Sequence, residues 1–190
     1  MSSPDAGRPP SPAADADRRT AVLDSAMTTF ARFGYRKTSM EEVARAARIS
    51  RPGLYFLFSS KEALFREAVT QALEGDITAV EHALADSGRP LAERLVEAFD
   101  QWAGRYVGPL ARDVAAVVED HPDLLGDIVD TAPRRFEELI TQAIAVESGR
   151  ETALPVARTM ISVSIGLKHQ AVSRDFYLER LEVAVGLLTR

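Results

Sequence analysis

One short segment, ISRPGLYFLF at residues 49–58, gathers side chains that could bind another molecule. The guanidinium of Arg51 has donors spaced to contact either the edge of a guanine or a phosphate. Pro52 offers an apolar surface of the kind that contacts a thymine methyl group, and Gly53 allows the backbone to come close to a bound surface. Tyr55 adds a hydroxyl that can reach a phosphate. This chemistry is recognition of double-stranded DNA rather than catalysis.

Basic and hydroxyl side chains on either side of this segment indicate contacts to the DNA backbone. Residues 36–39 stand where a helix begins, and the free N–H groups and dipole of a helix start attract phosphate. Lys61 lies in the first turn of a later helix. Phosphate contacts position a protein, so only the residues near Arg51 could read base sequence. The predicted DNA-contacting set is Arg36, Lys37, Thr38, Ser39, Arg48, Ser50, Arg51, Pro52, Gly53, Tyr55, Phe56 and Lys61.

Two short capped helices would hold these side chains in place. Thr38-x-x-Glu41 has the form of a capping box, which starts a helix. Ser50 is the expected N-cap of the second helix, with Pro52 in its first turn, where the missing N–H costs nothing. Because the joint between the helices is very short, residues of about 39–58 predict a helix-turn-helix. In that motif the second helix enters the major groove with its N-terminal residues nearest the bases.

The aromatic run in the second helix divides between two faces. Leu54 and Phe58 fall four residues apart, so both are expected to face the core and to lock this helix in place. Tyr55 lies near the outer face. The run is therefore predicted to be part core and part contact surface.

The rest of the chain shows apolar residues at helical spacing, and no segment has the alternation typical of a strand. The predicted fold class is all-α, with about nine helices. Residues 1–17, rich in Pro, Ser and Ala, are expected to form a disordered tail. The helices predicted outside the helix-turn-helix span about 18–33, 60–85, 91–107, 110–120, 124–146 with a kink at Pro133, 152–171 and 175–189.

Charge divides unevenly along the 190 residues. Residues 1–66 hold 11 Lys/Arg against 7 Asp/Glu, whereas residues 67–190 hold 12 against 21. A basic end favours a polyanionic partner, although chance variation of the surface gives the same pattern. We therefore expect a DNA-binding domain at 18–66 and a larger ligand-binding and dimerisation domain at 67–190.

Composition disfavours several other classes of protein. The chain has no cysteine, which excludes disulfides and thiolate sites, and no apolar run near the roughly 20 residues that span a bilayer. Without an apolar leader at the N-terminus, a cytoplasmic protein is expected. His82, His121 and His169 lack metal-ligand spacing, and there is no Gly-rich phosphate loop or nucleophile elbow. We predict no enzyme activity and no metal or cofactor.

Residues 35–65, YRKTSMEEVARAARISRPGLYFLFSSKEALF, resemble the DNA-binding region of the tetracycline-repressor (TetR) family of transcriptional regulators. The shared pattern is a Thr-Ser cap, an apolar-Ala pair at Val43-Ala44, a Ser after the turn, then Leu-Tyr, Phe and Ser-Lys-Glu. The similarity covers about residues 18–66. It implies a homodimer that binds a palindromic operator and is released by a small molecule. Such a regulator is expected to be a repressor, and an activator stays the alternative.

Three residues depart from the family pattern. Arg48 replaces the Gly usual in the turn and is expected to adopt a left-handed conformation at a cost of about 1 kcal/mol. Leu57 replaces a common His, which removes one phosphate contact, and Gly53 replaces a small polar residue. These differences keep open an alternative, a dimeric helical ligand-binding or adaptor protein without sequence-specific DNA binding.

The last two predicted helices carry apolar residues on more than one face. A helix that is apolar around most of its circumference must be buried on both sides. These helices are therefore the predicted homodimer surface, packed as a four-helix bundle about a two-fold axis. Burial inside a monomer would produce the same pattern.

A small-molecule effector site is predicted in the larger domain from side-chain types alone. A stripe such as Phe99, Trp102 and Tyr106 is more often plain core than ligand site. Candidate side chains for orienting a ligand by polar contacts are Arg105, His121, Arg158 and His169. The predicted ligand-contacting set is Phe99, Trp102, Arg105, Tyr106, Phe136, Met160 and His169. The long helix at 60–85 is expected to carry a ligand-induced change to the DNA-binding domain.

Overall fold

A computed structural model describes residues 12–107 and 124–189, and every regular element in this part is helical. The predicted all-α class is confirmed. The elements are α1 (Pro12–Phe33), α2 (Met40–Ala46), α3 (Arg51–Leu57), α4 (Lys61–Ala85), α5 (Leu91–Trp102), a 3-10 turn (Gly104–Tyr106), α6 (Ile128–Ser148), α7 (Arg150–Gln170) and α8 (Arg174–Leu188). The chain forms two compact units, unit 1 (residues 1–68) and unit 2 (residues 69–190), and the division falls within α4.

Aromatic side chains form the centre of unit 1. Phe30 of α1 meets Phe65 of α4 edge to face with ring centres 5.1 Å apart, and the ring of Tyr35 lies 4.7 Å from that of Phe65. From α3, Leu54 and Phe58 are 0% and 1% exposed. Each buried side chain of this size contributes about 1.5–3 kcal/mol, so burial is what holds the short α3 within the unit.

The core of unit 2 is built by α5, α6, α7 and α8 together with the C-terminal part of α4. Phe136 meets Phe99 edge to face at 5.1 Å and stacks on Trp102 at 4.9 Å, measured between ring centres. The buried hydroxyl of Tyr177 is hydrogen-bonded to that of Ser164 at 2.8 Å. No described helix is both long and apolar enough to cross a membrane.

The start of α1 differs from the sequence prediction. The helix begins at Pro12, so residues 12–17 of the expected disordered tail are helical. Proline is favoured in the first turn of a helix, and the alanines that follow are the best helix formers. The Pro- and Ser-rich composition of residues 1–17 as a whole conceals the helical preference of residues 12–17. Residues 1–11 lie outside the described part.

The end of α5 also differs, because the helix stops at Trp102 and Tyr106 lies on the 3-10 turn that follows. A Cβ atom at Gly104 would lie only 2.3 Å from Oδ1 of Asp100. That carboxylate is held in turn by two hydrogen bonds from the guanidinium of Arg174. The chain therefore turns where only glycine fits. The helix predicted at 110–120 lies outside the described residues.

Gly104→Ala tests this close approach. We expect it to lower the free energy of unfolding by about 1–3 kcal/mol, because the added methyl group must displace a carboxylate fixed by an arginine. Gly75→Ala in α4 is the matched control, since an added Cβ there meets no other side chain. Alanine should stabilise that helix by about 0.5–1 kcal/mol. Urea unfolding followed by circular dichroism measures both, and equal effects would contradict the tight packing.

Candidate nucleic-acid interface

The N-terminus of α2 is capped by Ser39, one residue later than predicted. The Ser39 hydroxyl accepts a hydrogen bond from the Glu42 N–H at 3.2 Å, and the Glu42 carboxylate accepts one from the Ser39 N–H at 2.7 Å. These bonds lower the pKa of Glu42. Thr38 is 1% exposed and donates its hydroxyl to the Gly34 carbonyl oxygen at 2.8 Å. The capping box predicted at Thr38 is wrong, and this buried side chain is not presented to phosphate.

The turn between α2 and α3 has the conformation expected from its unusual arginine. Arg48 has a φ of 55°, in the left-handed region, which confirms the prediction. The Ile49 N–H donates to the Ala44 carbonyl oxygen at 3.0 Å and so closes the end of α2. The Arg48 side chain is exposed.

The two faces of α3 separate as predicted. The Ser50 hydroxyl accepts from the Gly53 N–H at 3.1 Å and caps the helix. On the outer side, Tyr55 is 43% and Phe56 89% exposed. The guanidinium carbon of Arg51 lies 5.7 Å from the centre of the Tyr55 ring, one helical turn away. The tyrosine face therefore supports the arginine side chain by a cation–π contact.

Lys61 makes structural contacts within unit 1 that the sequence analysis did not predict, and its phosphate contact stays a prediction. Its ammonium donates to the carbonyl oxygens of Tyr35 and Thr38 at 2.9 Å and 3.0 Å and lies 4.3 Å from the Tyr35 ring centre. A lysine in the first turn of α4 comes close to the carbonyls of the turn before α2, and the sequence does not show that proximity. Lys61 therefore fastens this turn to α4.

Arg19 of α1 is a positioning residue that the sequence analysis missed. Its guanidinium donates to the carbonyl oxygen of Leu57, the last residue of α3, at 3.0 Å, and forms an ion pair with Glu67. The guanidinium carbon also lies 4.4 Å from the centre of the Phe58 ring. One side chain thus joins three helices at the end of α3. No local motif marks it, because its partners lie far along the chain.

Most of the predicted DNA-contacting residues are accessible. Three members of the set are less accessible. Thr38 is buried, Gly53 is half-buried at the start of α3, and half-buried Lys61 donates to two backbone carbonyl oxygens. The helix itself contains no acidic residue that would repel phosphate. The exposed members of the set are Arg36, Lys37, Ser39, Arg48, Ser50, Arg51, Pro52, Tyr55 and Phe56.

Unit 2 contains a buried polar cluster that includes two predicted ligand-contacting residues. Asp76 of α4 is 1% exposed, and its carboxylate accepts hydrogen bonds from Arg105 at 2.6 Å and from the Tyr106 hydroxyl at 2.5 Å. Burial raises the pKa of Asp76 and that of Tyr106. The ammonium of Lys168 lies 5.7 Å from the centre of the Tyr106 ring. Asp76 was missed, although it interrupts an apolar stripe of α4 between Leu73 and Val80.

The other predicted ligand-contacting residues do not join this cluster. Phe99, Phe136 and Met160 are 0–1% exposed and belong to the core, with Trp102 packed against them. His169 is exposed in the last turn of α7. Arg158, considered as a polar partner, is exposed and paired with Glu137, and His121 lies outside the described residues. Phe99 and Trp102 of the aromatic stripe are therefore core, whereas Tyr106 belongs to the polar cluster.

Comparison with known proteins gives matches to regulators. A family model described as bacterial regulatory proteins, tetR family, matches residues 22–68. The chain is 29% identical to the HTH-type transcriptional regulator YfiR of Bacillus subtilis over 125 residues, 65% of this chain and 51% of that protein. It is 29% identical to the A-factor receptor protein of Streptomyces griseus over 122 residues, 61% of this chain and 42% of the receptor. The chain thus spans about half or less of the length of these two relatives.

A solved structure shares the fold over nearly the whole chain. A TetR-family transcriptional regulator from Mesorhizobium loti matches with a TM-score of 0.74 at 18% identity, over 91% of this chain and 95% of that one. The capped helix pair with its exposed α3 face defines a protein with a helix-turn-helix DNA-binding domain. Residues 22–68 of the chain therefore belong to the tetR family of bacterial regulatory proteins, and the chain as a whole shares the fold of a TetR-family regulator.

Substitution of Arg19 tests its role in positioning α3. We expect Arg19→Met to reduce affinity for a cognate duplex by about 1–2 kcal/mol, because the end of α3 loses a charged hydrogen bond, and to affect a scrambled duplex much less. Fluorescence anisotropy with both duplexes measures the difference. Arg18→Met is the matched control, since the neighbouring Arg18 side chain is exposed. Equal weakening on both duplexes would indicate that Arg19 is a phosphate contact instead.

Proposed function

We propose that this chain is a cytoplasmic repressor that binds a palindromic operator as a homodimer and is released by a small molecule. The observation that carries the proposal is the exposed face of α3, which presents Arg51, Pro52, Tyr55 and Phe56 while Leu54 and Phe58 anchor the helix. A guanidinium beside apolar and aromatic groups suits guanine edges and thymine methyl groups in the major groove.

Contacts to the DNA backbone are proposed for the exposed residues around α3. The N-terminus of α2 places Arg36, Lys37 and Ser39 at a helix start, where N–H groups and the dipole favour phosphate. Arg48 adds a cation in the turn. These side chains would fix the register of the protein on DNA, and the residues of α3 would then read sequence.

A homodimer through α7 and α8 is supported by apolar side chains that unit 2 leaves exposed. Ile165 of α7 is 55% exposed, and Val183 and Leu187 of α8 are 64% and 62% exposed. The opposite face of α8 buries Tyr177, Leu181 and Val185. A helix that is apolar on both faces suits a second copy packed about a two-fold axis. Dimerisation would present two α3 helices about 34 Å apart, one turn of DNA.

Release by a small molecule is supported by the polar cluster in unit 2 and by the continuity of α4. The cluster includes Asp76 of α4, and the same helix contributes residues 61–68 to unit 1. The A-factor receptor protein, a relative by sequence, is named for a ligand that it binds. An effector that prefers the conformation with wrongly spaced DNA-binding units would weaken operator binding by that preference, typically 1–3 kcal/mol.

Selection of random duplex DNA by the purified chain at about 150 mM salt, followed by sequencing, tests the proposal, since salt sets the non-specific background. We expect an enriched palindrome with half-sites about one helical turn apart, or somewhat more. A folded dimer that enriches no sequence would instead support the ligand-binding or adaptor alternative.

Arg51 and Lys37 should differ in what they contribute to operator binding. Arg51→Ala is expected to cost about 1–3 kcal/mol on the selected site and to relax sequence preference. Lys37→Ala should weaken all duplexes similarly and reduce the slope of log affinity against log salt by about one unit. Titrations at several salt concentrations measure both quantities. Equal loss of specificity from the two variants would show that the major-groove residues are misassigned.

Charge placed on α8 tests the dimer. Val183→Lys is expected to shift the dimer toward monomer in analytical ultracentrifugation and to weaken operator binding, because a buried lysine in an apolar interface is unfavourable. Val146→Lys on α6 is the matched control, since Val146 is 85% exposed but lies outside α7 and α8. A dimer unaffected by Val183→Lys would place the interface elsewhere.

A further inference from the structure

Lys168 is chemically exceptional within unit 2. The chain has three lysines, Lys37, Lys61 and Lys168, so Lys168 is the sole lysine of residues 69–190. It lies half-buried in the last turn of α7, with its ammonium against the ring of Tyr106. Residues 67–190 are strongly acidic, yet the described contacts of this cation include an aromatic ring and no carboxylate.

Most arginines in the described part of unit 2 pair with carboxylates, although exposed Arg134 and Arg180 have no described ion pair, and Arg180 lies over the Phe176 ring. Six of these arginines form ion pairs. These are Arg89 with Glu97, Arg94 with Glu147, Arg105 with Asp76, Arg135 with Glu81, Arg158 with Glu137 and Arg174 with Asp100. Each of these six positive charges is therefore neutralised locally, whereas half-buried Lys168 forms no ion pair with any residue of the described ranges 12–107 and 124–189.

Asp76, the buried acid that binds Tyr106, already has two hydrogen-bond partners. Both carboxylate oxygens of Asp76 accept hydrogen bonds, one from Arg105 and one from Tyr106. The charges of Asp76 and Arg105 cancel, so the cluster of Asp76, Arg105, Tyr106 and Lys168 carries one surplus positive charge. Burial lowers the pKa of Lys168. A partly desolvated cation of this kind is stabilised most by an anion.

We infer that Lys168 binds the carboxylate of the effector, which is a small organic acid whose apolar body lies beside the Tyr106 ring. The inference deepens the proposed function and rests on unit 2 being the ligand-binding unit. An anion supplies the charge that the cluster lacks, whereas a cation would repel Lys168. A neutral ligand would leave the ammonium without an ionic partner. A carboxylate on this half-buried ammonium also forms a charge-assisted hydrogen bond, which is about twice as strong as a neutral one.

Matched acids and amides test the charge requirement. The full chain is titrated calorimetrically with benzoate and benzamide, phenylacetate and phenylacetamide, and octanoate and octanamide. At least one acid is expected to bind about tenfold or more tightly than its amide. If no acid of the series binds, or if each amide binds as tightly as its acid, the assignment is wrong.

Chemical labelling shows whether the bound acid reaches Lys168. Acetylation by acetic anhydride at pH 8, followed by peptide mass spectrometry, reports the neutral fraction of each lysine amine. A bound carboxylate raises the pKa of the Lys168 amine and should slow its acetylation about tenfold. Exposed Lys37 is the internal control and should not change. Protection of both lysines or of neither would contradict the inference.

Variants at the same position separate charge from shape. Lys168→Met keeps the length of the side chain and should bind acid and amide equally, whereas Lys168→Arg should retain the preference for acid. A preserved acid preference in Lys168→Met would overturn the inference. A carboxylate within residues 108–123 would be a rival partner. If Asp113→Asn, Glu119→Gln, Asp120→Asn or Asp123→Asn raises the acetylation rate of Lys168 without added acid, that residue is the partner and the inference fails.

Operator binding separates this inference from the proposed function. Acid binding at Lys168 that leaves operator affinity unchanged would confirm the anion site and contradict ligand-induced release. Release of the operator by an amide, with equal effect on Lys168→Met, would support regulation and contradict the anion site.

Discussion

The position of α3 depends on contacts with its neighbours, because a helix of two turns has almost no stability of its own. Isolated helices shorter than about 12–15 residues are marginal in water, and α3 has seven residues. The Ser50 cap satisfies its first N–H groups, Leu54 fixes its inner face, and Arg19 binds its last carbonyl oxygen. The same contacts therefore set both the stability and the orientation of α3. We expect changes in the core of unit 1 to weaken the proposed DNA binding even where the altered residue does not contact DNA.

In unit 2, buried carboxylates hold neighbouring elements together, as the contacts of α3 do in unit 1. Asp100 binds Arg174 across from α5 to α8, and Asp76 binds Arg105 and Tyr106 across from α4 to the 3-10 turn. Buried ion pairs add little net stability, because desolvation offsets most of the attraction. They do penalise any arrangement that separates the partners. The 3-10 turn is held in this way to α4, while tight packing at Gly104 ties it to Asp100.

The sequence predicted the elements of this fold well because helical periodicity and caps are local signals. It predicted α3, the left-handed Arg48 and the division of the aromatic run, since each follows from neighbouring residues. It misplaced the cap of α2 by one residue because TSMEE allows two boxes, and burial of Thr38 decides between them. The sequence did not predict the contacts of Lys61 with the turn before α2, or those of Arg19 with Leu57 and Glu67, because these partners are distant in the chain. Of the predicted ligand set, the structure brings only Arg105 and Tyr106 together at Asp76, since side-chain type does not reveal which residues meet.

The strained turn at Arg48 has a consequence for protein engineering. Replacement by glycine, the residue usual at this position in the family, would remove a left-handed strain of about 1 kcal/mol. It would also delete an exposed cation from the side of the protein proposed to meet phosphate. A variant stabilised by such family-averaged substitutions would therefore melt at a higher temperature while holding DNA less tightly. At this position, thermal robustness and nucleic-acid affinity are opposing design goals.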